Sequence, residues 1–129
     1  MILVDSSVWI AHLRGEQSEA TAKLAQAVRR EPVLVGDLIL LEVLQGARDD
    51  AHAAAIEQGL RAFSLVPLLN ADLAVQAAQN YRHLRTLGLT LRKTADLIIG
   101  TYCLAHDHAL LHDDRDFAVM EQHLGLKVV

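Results

Sequence analysis

Apolar runs of three or four residues recur along this chain, separated by longer stretches rich in helix-forming residues. Ile2-Leu3-Val4 ends in Asp5, Val33-Leu34-Val35 in Gly36, and Phe63-Ser64-Leu65-Val66 in Pro67. Ala109-Leu110-Leu111 comes next, and Leu126 to Val129 closes the chain. Runs that are apolar throughout, rather than alternating, suit strands buried on both faces. The stretches between them carry helix signals. Ser18 caps a helix to about Arg30 with Leu24, Ala27 and Val28 inward, and Asp49 or Asp50 caps another that ends near Gly59. Asn70 caps a long helix with Leu73, Ala77, Tyr81, Leu84 and Leu87 at helical spacing, ended by Gly88. Asp37 is a candidate cap for the helix through Leu41 and Glu42, and Thr94 for one running to about His106. A short helix is expected from Asp114 to His123. Strands alternating with amphipathic helices predict an α/β fold, with a short-stranded, mostly parallel sheet between two helical layers.

The chain of 129 residues fits one domain over 1–129, and 52% hydrophobic residues supply a core. No apolar run is long enough to span a membrane, and no secretion signal is visible. The single cysteine, Cys103, cannot form an internal disulfide, which suits a reducing cytoplasm. The formal net charge of −4 runs against nucleic-acid binding, where Lys and Arg usually dominate.

Most of the 16 acids fall on polar faces or near helix starts. Asp5, Glu42 and Asp96 do not. Asp5 lies between Ile2-Leu3-Val4 and Val8-Trp9-Ile10. Glu42 sits within Leu38-Ile39-Leu40-Leu41-Glu42-Val43-Leu44, and Asp96 opens Asp96-Leu97-Ile98-Ile99. An ionised carboxylate among residues that want burial is costly unless it is paired, hydrogen-bonded or bound to a metal. Each has a plainer explanation. Asp5 suits a strand-end turn, Asp96 the positive end of a helix dipole, and Glu42 a narrow polar stripe with Gln45. The run Asp113-Asp114-Arg115-Asp116 follows the fourth apolar stretch, and one helix cap does not need three acids.

Topology joins these acids. Asp5 and Asp114 follow strands at their carboxyl ends, Asp96 opens a helix, and Glu42 lies about one turn into another. Functional groups of open parallel sheets converge outside the carboxyl ends of the strands. Carboxylates gathered there repel one another, and a hard cation relieves the repulsion. Oxygen-only ligands favour Mg²⁺ or Mn²⁺, and a carboxylate-held Mg²⁺ suits phosphodiester hydrolysis.

The same segments resemble the motifs of PIN-domain proteins, in family order and across essentially the whole chain. They are Val4-Asp5-Ser6-Ser7-Val8-Trp9-Ile10, Glu42-Val43-Leu44-Gln45-Gly46, Arg92 to Gly100, and Leu110 to Phe117. The nearest likeness is to the VapC toxins of bacterial toxin–antitoxin pairs. The resemblance implies an α/β/α fold and an Mg²⁺-dependent endoribonuclease, with Mn²⁺ as a substitute. Carried over residue by residue, Asp5, Glu42, Asp96 and Asp114 are metal ligands, direct or through water. Asp116 is an auxiliary acid that competes with Asp114 for the fourth place, and Ser7 positions the Asp5 carboxylate or a metal water. A small cognate antitoxin and a homodimer are also implied. His112 stands where the family usually has Thr or Ser, so a hydroxyl is lost from the edge of the site.

A bound cation would answer the charge objection by reversing the local sign. Arg14, Arg48, Arg82, Arg85 and Arg115 are then candidates to line an RNA path. Arg92 and Lys93, just before Asp96, are the foremost candidates for phosphate contacts. Two other functions compete. A receiver-like signalling domain shares the length, the sheet and an acidic pocket, but it would carry adjacent acids after its first strand and has no use for Glu42. A non-catalytic PIN-like scaffold would not need every acid. His106, His108 and His112 are too differently placed to suggest zinc, and Trp9, Tyr81 and Phe117 read as core rather than base-stacking residues.

Overall fold

The computed structural model describes all residues, 1–129. Its elements are β1 (Ile2–Val4), α1 (Ser6–Leu13), α2 (Glu19–Arg30), β2 (Val33–Gly36), α3 (Asp37–Gln45), α4 (Asp50–Leu60), β3 (Ser64–Val66), α5 (Ala71–Thr86), α6 (Thr94–His106), β4 (Ala109–Leu111) and α7 (Phe117–Leu124). The four strands form one parallel sheet in the order β3-β2-β1-β4. Leu3 is the hinge of the register, opposite Leu34 on one side and Leu110 on the other. β1 and β2 are buried throughout, as their unbroken apolar sequences demand.

Parallel strands need crossovers, and right-handed ones decide which face each helix covers. The chain steps from β1 to β2 to β3 in one direction through α1 to α4, then returns across the sheet to β4 through α5 and α6. Contacts follow this division. α1 packs on α2 and α3, and α3 on α4, while α6 packs on α5 and α7. The two groups make the outer layers of an α/β/α sandwich, and the reversal of direction falls between β1 and β4.

Several local expectations need correction. The last strand, Leu126 to Val129, reduces to a single bridge between Leu110 and Val128. β4 is only three residues long and offers its edge through Leu110 alone, which donates to Lys127 O and accepts from Val129 N. Asp37 and Thr94 are first helical residues rather than caps, preceded by Gly36 and Lys93. The Asp37 carboxylate instead accepts the Leu38 and Leu68 amides, at 2.7 and 3.1 Å, tying α3 to the loop before α5. α7 starts at Phe117, three residues later than expected: Asp114 to Phe117 form a turn closed by the Phe117 amide on Asp114 O, the Asp114 carboxylate accepts the Asp116 amide, and Asp116 stands at the N-cap position without a side-chain bond. Val28 and Leu87, expected inward, are 46% and 50% exposed. Val28 lines an open apolar groove, and Leu87 lies beyond the last turn of α5. Ser18, Asp49 and Asn70 cap their helices as expected.

The core is one cluster of 29 buried residues spanning both helical layers. It includes Trp9 and Phe117, whereas Tyr81 is only half-buried against it. Gly36 is packed tightly where β2 meets α3. A methyl group there would lie 2.6 Å from Leu68 Cγ, and Leu68 is fully buried. Gly36→Ala must therefore displace a core side chain, at a cost of about 1–3 kcal/mol, read as a lower denaturation midpoint. A midpoint equal to wild type would show that the Leu68 loop yields freely.

Candidate metal centre

The crevice between β1 and β4 is the topological switch point of the sheet, and acids reach it from both sides. The Asp5 amide donates to Leu111 O at 2.9 Å, which extends the strand pairing and sets Asp5 beside the start of the Asp113–Asp116 loop. Asp5 is also the N-cap of α1, and its Oδ2 accepts the Ser7 amide at 3.1 Å and the Ser7 hydroxyl at 2.6 Å. Ser7 Oγ in turn accepts the Asp113 amide at 3.1 Å, so one hydroxyl joins the β1–α1 turn to the loop after β4. Ser7 is thus bonded to the Asp5 carboxylate through both its amide and its hydroxyl.

Asp96 lies in the first turn of α6 and is 4% exposed, as is Asp5. The helix start explains an acid there, but not its burial. Asp96 Oδ2 is enclosed and has no hydrogen-bond partner, an arrangement costly for an ionised group. Carboxylate oxygens of Asp96, Asp114 and Asp116 lie within 4.8 Å of one another. Both acids of the loop are therefore present, and the geometry does not favour Asp114 over Asp116.

Burial pushes the Asp96 carboxyl up to about 7, helped by the charges of Asp5, Asp114 and Glu42 and opposed by Lys93. Glu42, from α3, is raised by burial and by Asp5, against the Ser6 hydroxyl and Lys93. Burial also pushes Asp114 upward, but the Asp116 amide, Lys93 and His112 outweigh it and hold the carboxyl below its ordinary value. Asp5 acts on both Glu42 and Asp96, and Asp114 on Asp96, so these four acids influence one another, while Asp116 joins through its approach to Asp96 and Asp114; Asp5 and Glu42 lie outside that tight cluster of three. A set of oxygen donors with one buried, unpartnered oxygen is what a hard divalent cation fits.

Sequence reasoning missed two contacts. Ser6 Oγ donates to Glu42 Oε1 at 3.4 Å, linking α1 to α3 across 36 positions. The doubled serine after Asp5 was the available signal. Lys93 Nζ lies 3.3 Å from Asp114 Oδ2. Its side chain is 60% exposed, so the pair contributes little to stability. Arg92 is exposed and makes no ion pair. His112 accepts the Asp114 amide at Nδ1, 3.2 Å, and packs on Phe117 with ring centroids 4.9 Å apart. It is a rim residue that supports the loop. His106 and His108 do stack, at 5.8 Å, but His112 is not with them.

A family model described as PIN domain matches residues 2–122, so the chain belongs to the PIN-domain family. Ribonuclease VapC11 of Mycobacterium tuberculosis is 31% identical over 132 residues, covering 98% of this chain and 96% of the relative. Two solved structures share the fold. VapBC2 from Rickettsia felis, bound to a DNA fragment from its promoter, superposes with a TM-score of 0.80 at 12% identity, covering 100% of this chain and 98% of the other. A toxin-antitoxin complex from Klebsiella pneumoniae gives 0.75 at 21% identity, covering 100% and 96%. No helix is long and apolar enough to cross a membrane.

Proposed function

We propose that this protein is a VapC-type endoribonuclease, the toxin of a toxin–antitoxin pair, acting in the cytoplasm as a single catalytic domain. The observation that carries the reading is the buried, unpartnered Asp96 carboxylate at the β1/β4 crevice, within 4.8 Å of Asp114 and Asp116. Asp5, Glu42, Asp96 and Asp114 would hold Mg²⁺ or Mn²⁺, directly or through water, with Asp116 as an auxiliary acid. When bound, such a cation supplies Lewis-acid activation of water and neutralises charge on the phosphoryl group. The chain's own residues do the rest. Ser7 anchors the Asp5 carboxylate with a 2.6 Å hydrogen bond, and Ser6 Oγ donates more weakly to Glu42 Oε1 at 3.4 Å. Burial and the nearby Asp5 raise the Glu42 carboxyl above its ordinary value. Lys93 and Arg92 stand at the rim to hold the RNA backbone.

The partner surfaces follow from apolar exposure. A groove of about 390 Å³ between α1, α2 and α4 is lined by Trp9, Leu13, Leu24, Val28 and Phe63, with the buried Trp9 Nε1 lacking an acceptor. Its shape suits an apolar segment of the antitoxin. Leu41 and Leu69, 53% and 52% exposed beside Leu38 and Ile98, suit a homodimer contact.

The test is cleavage of a structured RNA pool by antitoxin-free protein, with Mg²⁺, with Mn²⁺ and with EDTA, alongside calorimetric metal titration. Metal-dependent cleavage is expected. A folded protein that binds no divalent metal would favour the scaffold reading. The titration has a predicted pH dependence. The Asp96 proton must leave before metal enters. Affinity should therefore rise by up to about tenfold per pH unit below 7 and level off above it. A flat profile would remove Asp96 from the ligand set.

A further inference from the structure

Asp5 caps α1, Glu42 lies in the second half of α3, and the two helices pack together and run on from these acids. Where they end, with the start of α4, they enclose a second cleft of about 430 Å³. Ile10, Val43 and Ile56 contribute to its apolar lining, and Arg14, Arg48 and His52 supply its charged and polar groups. No carboxylate lines it. Neither guanidinium belongs to any of the protein's ion pairs. The Arg48 amide donates to His52 Nδ1 at 3.1 Å, which puts the ring proton on Nε2 and leaves that nitrogen as a free donor. The neighbouring Asp49 carboxylate is already engaged, by the His52 amide at 2.8 Å.

A helix dipole accounts for an arginine near a helix end. It does not account for two unpaired guanidiniums and an oriented imidazole facing one carboxylate-free cleft. This donor set matches a phosphate, which arginine grips with a planar fork. Gly46 lies one helical turn, about 6 Å of rise, beyond Glu42. Arg14 lies about 13 Å along α1 from Asp5. We propose that Arg14, Arg48 and His52 form an RNA-backbone subsite that binds a phosphate of the substrate strand a few nucleotides from the cleaved bond. The proposal rests on the ribonuclease reading and deepens it: in an acidic protein, it names where the polyanion is held away from the metal.

The test uses a fluorescently labelled oligouridine of roughly twelve nucleotides, bound in EDTA so that it is not cut, with salt varied. Neutralising both arginines (Arg14→Gln with Arg48→Gln) should weaken binding at least tenfold at low salt. It should also reduce the slope of log K against log salt by about 1.4, two contacts at roughly 0.7 each for a single strand. Both side chains are exposed, so melting temperature should not change and confirms folding. His52→Gln, which keeps a donor, should retain more affinity than His52→Ala. An unchanged slope, or no binding of the oligonucleotide by the wild-type protein, overturns the subsite. So does a variant that keeps its RNA affinity but loses binding to an oligoglutamate peptide, which would assign the cleft to an acidic protein segment. Metal-dependent cleavage by the wild-type protein, measured in parallel, separates this failure from failure of the ribonuclease reading.

Discussion

Asp96→Asn is expected to lose about a thousandfold in RNA cleavage while melting higher than the wild type in the absence of metal. The two effects share one cause. Asp96 is nearly isosteric with Asn, is 4% exposed, and faces Asp5, Asp114 and Glu42 with one oxygen unpartnered. If it holds a cation, its loss removes several kcal/mol of charge stabilisation, and about 4 kcal/mol corresponds to three decades in rate. Without metal, the same carboxylate opposes folding once it ionises. A raised folded-state pKa stabilises the protein below the unfolded value of 3.8, and that stability is lost as pH rises through about 7. The shift sets a ceiling of about 4 kcal/mol on the loss at alkaline pH. Asparagine recovers part of it and leaves an amide donor without an acceptor. A gain of about 1–2 kcal/mol, or roughly 5 °C, is expected at pH 8 and none near pH 4. Saturating Mg²⁺ should reverse the order, since only the wild type gains from binding. A variant that cleaves within a few-fold of wild type would remove Asp96 from the chemistry. One that melts lower at pH 8 would show that no repulsion is stored there.

That acid was visible in the sequence because its surroundings contradict it. Buried strands and helices announce themselves by apolar runs, and Asp5, Glu42 and Asp96 stood out as interruptions of them. The sheet was legible for the same reason, since β1, β4 and all of β2 but its closing Gly36 are unbroken in Val, Ile, Leu and Ala. Their order then placed the strand-end acids together. Contacts between distant segments were not legible. Ser6 reaches Glu42 where α1 packs on α3, and Lys93, just before α6, reaches Asp114 in the loop after β4, meetings of distant segments that local pattern does not encode. Cap identity also failed where tertiary contacts competed. Asp37 serves Leu68 as well as its own helix. Val28 carries the right spacing for the core yet lines an open groove, because helical periodicity marks an apolar face without saying what covers it.

The acidic loop after β4 depends on a residue that has no chemistry, and its truncation should give the largest loss of stability. Phe117 is fully buried at the first position of α7, immediately after Asp116, with its ring against His112. Phe117→Ala leaves a cavity in the main core, and such truncations cost about 3–5 kcal/mol. For a domain of ordinary stability, 5–15 kcal/mol, that is a large share of the total. The melting temperature should fall by roughly 10–20 °C. Catalysis should suffer beyond the unfolded fraction. His112 loses its packing, and through His112 Nδ1 the Asp114 amide loses a fixed acceptor. Asp114 and Asp116 would then sample positions outside their 4.8 Å cluster with Asp96. Metal affinity measured well below the variant's own melting point should therefore drop about tenfold, in the range seen when support behind a metal ligand is removed. Phe117→Leu separates packing from positioning: it refills most of the cavity and should recover most of the stability. If the Leu variant regained stability but metal affinity stayed low, the aromatic ring itself would be what holds His112. If the Ala variant bound metal as tightly as wild type, the loop would owe its shape to Ser7 and the Asp116 amide alone.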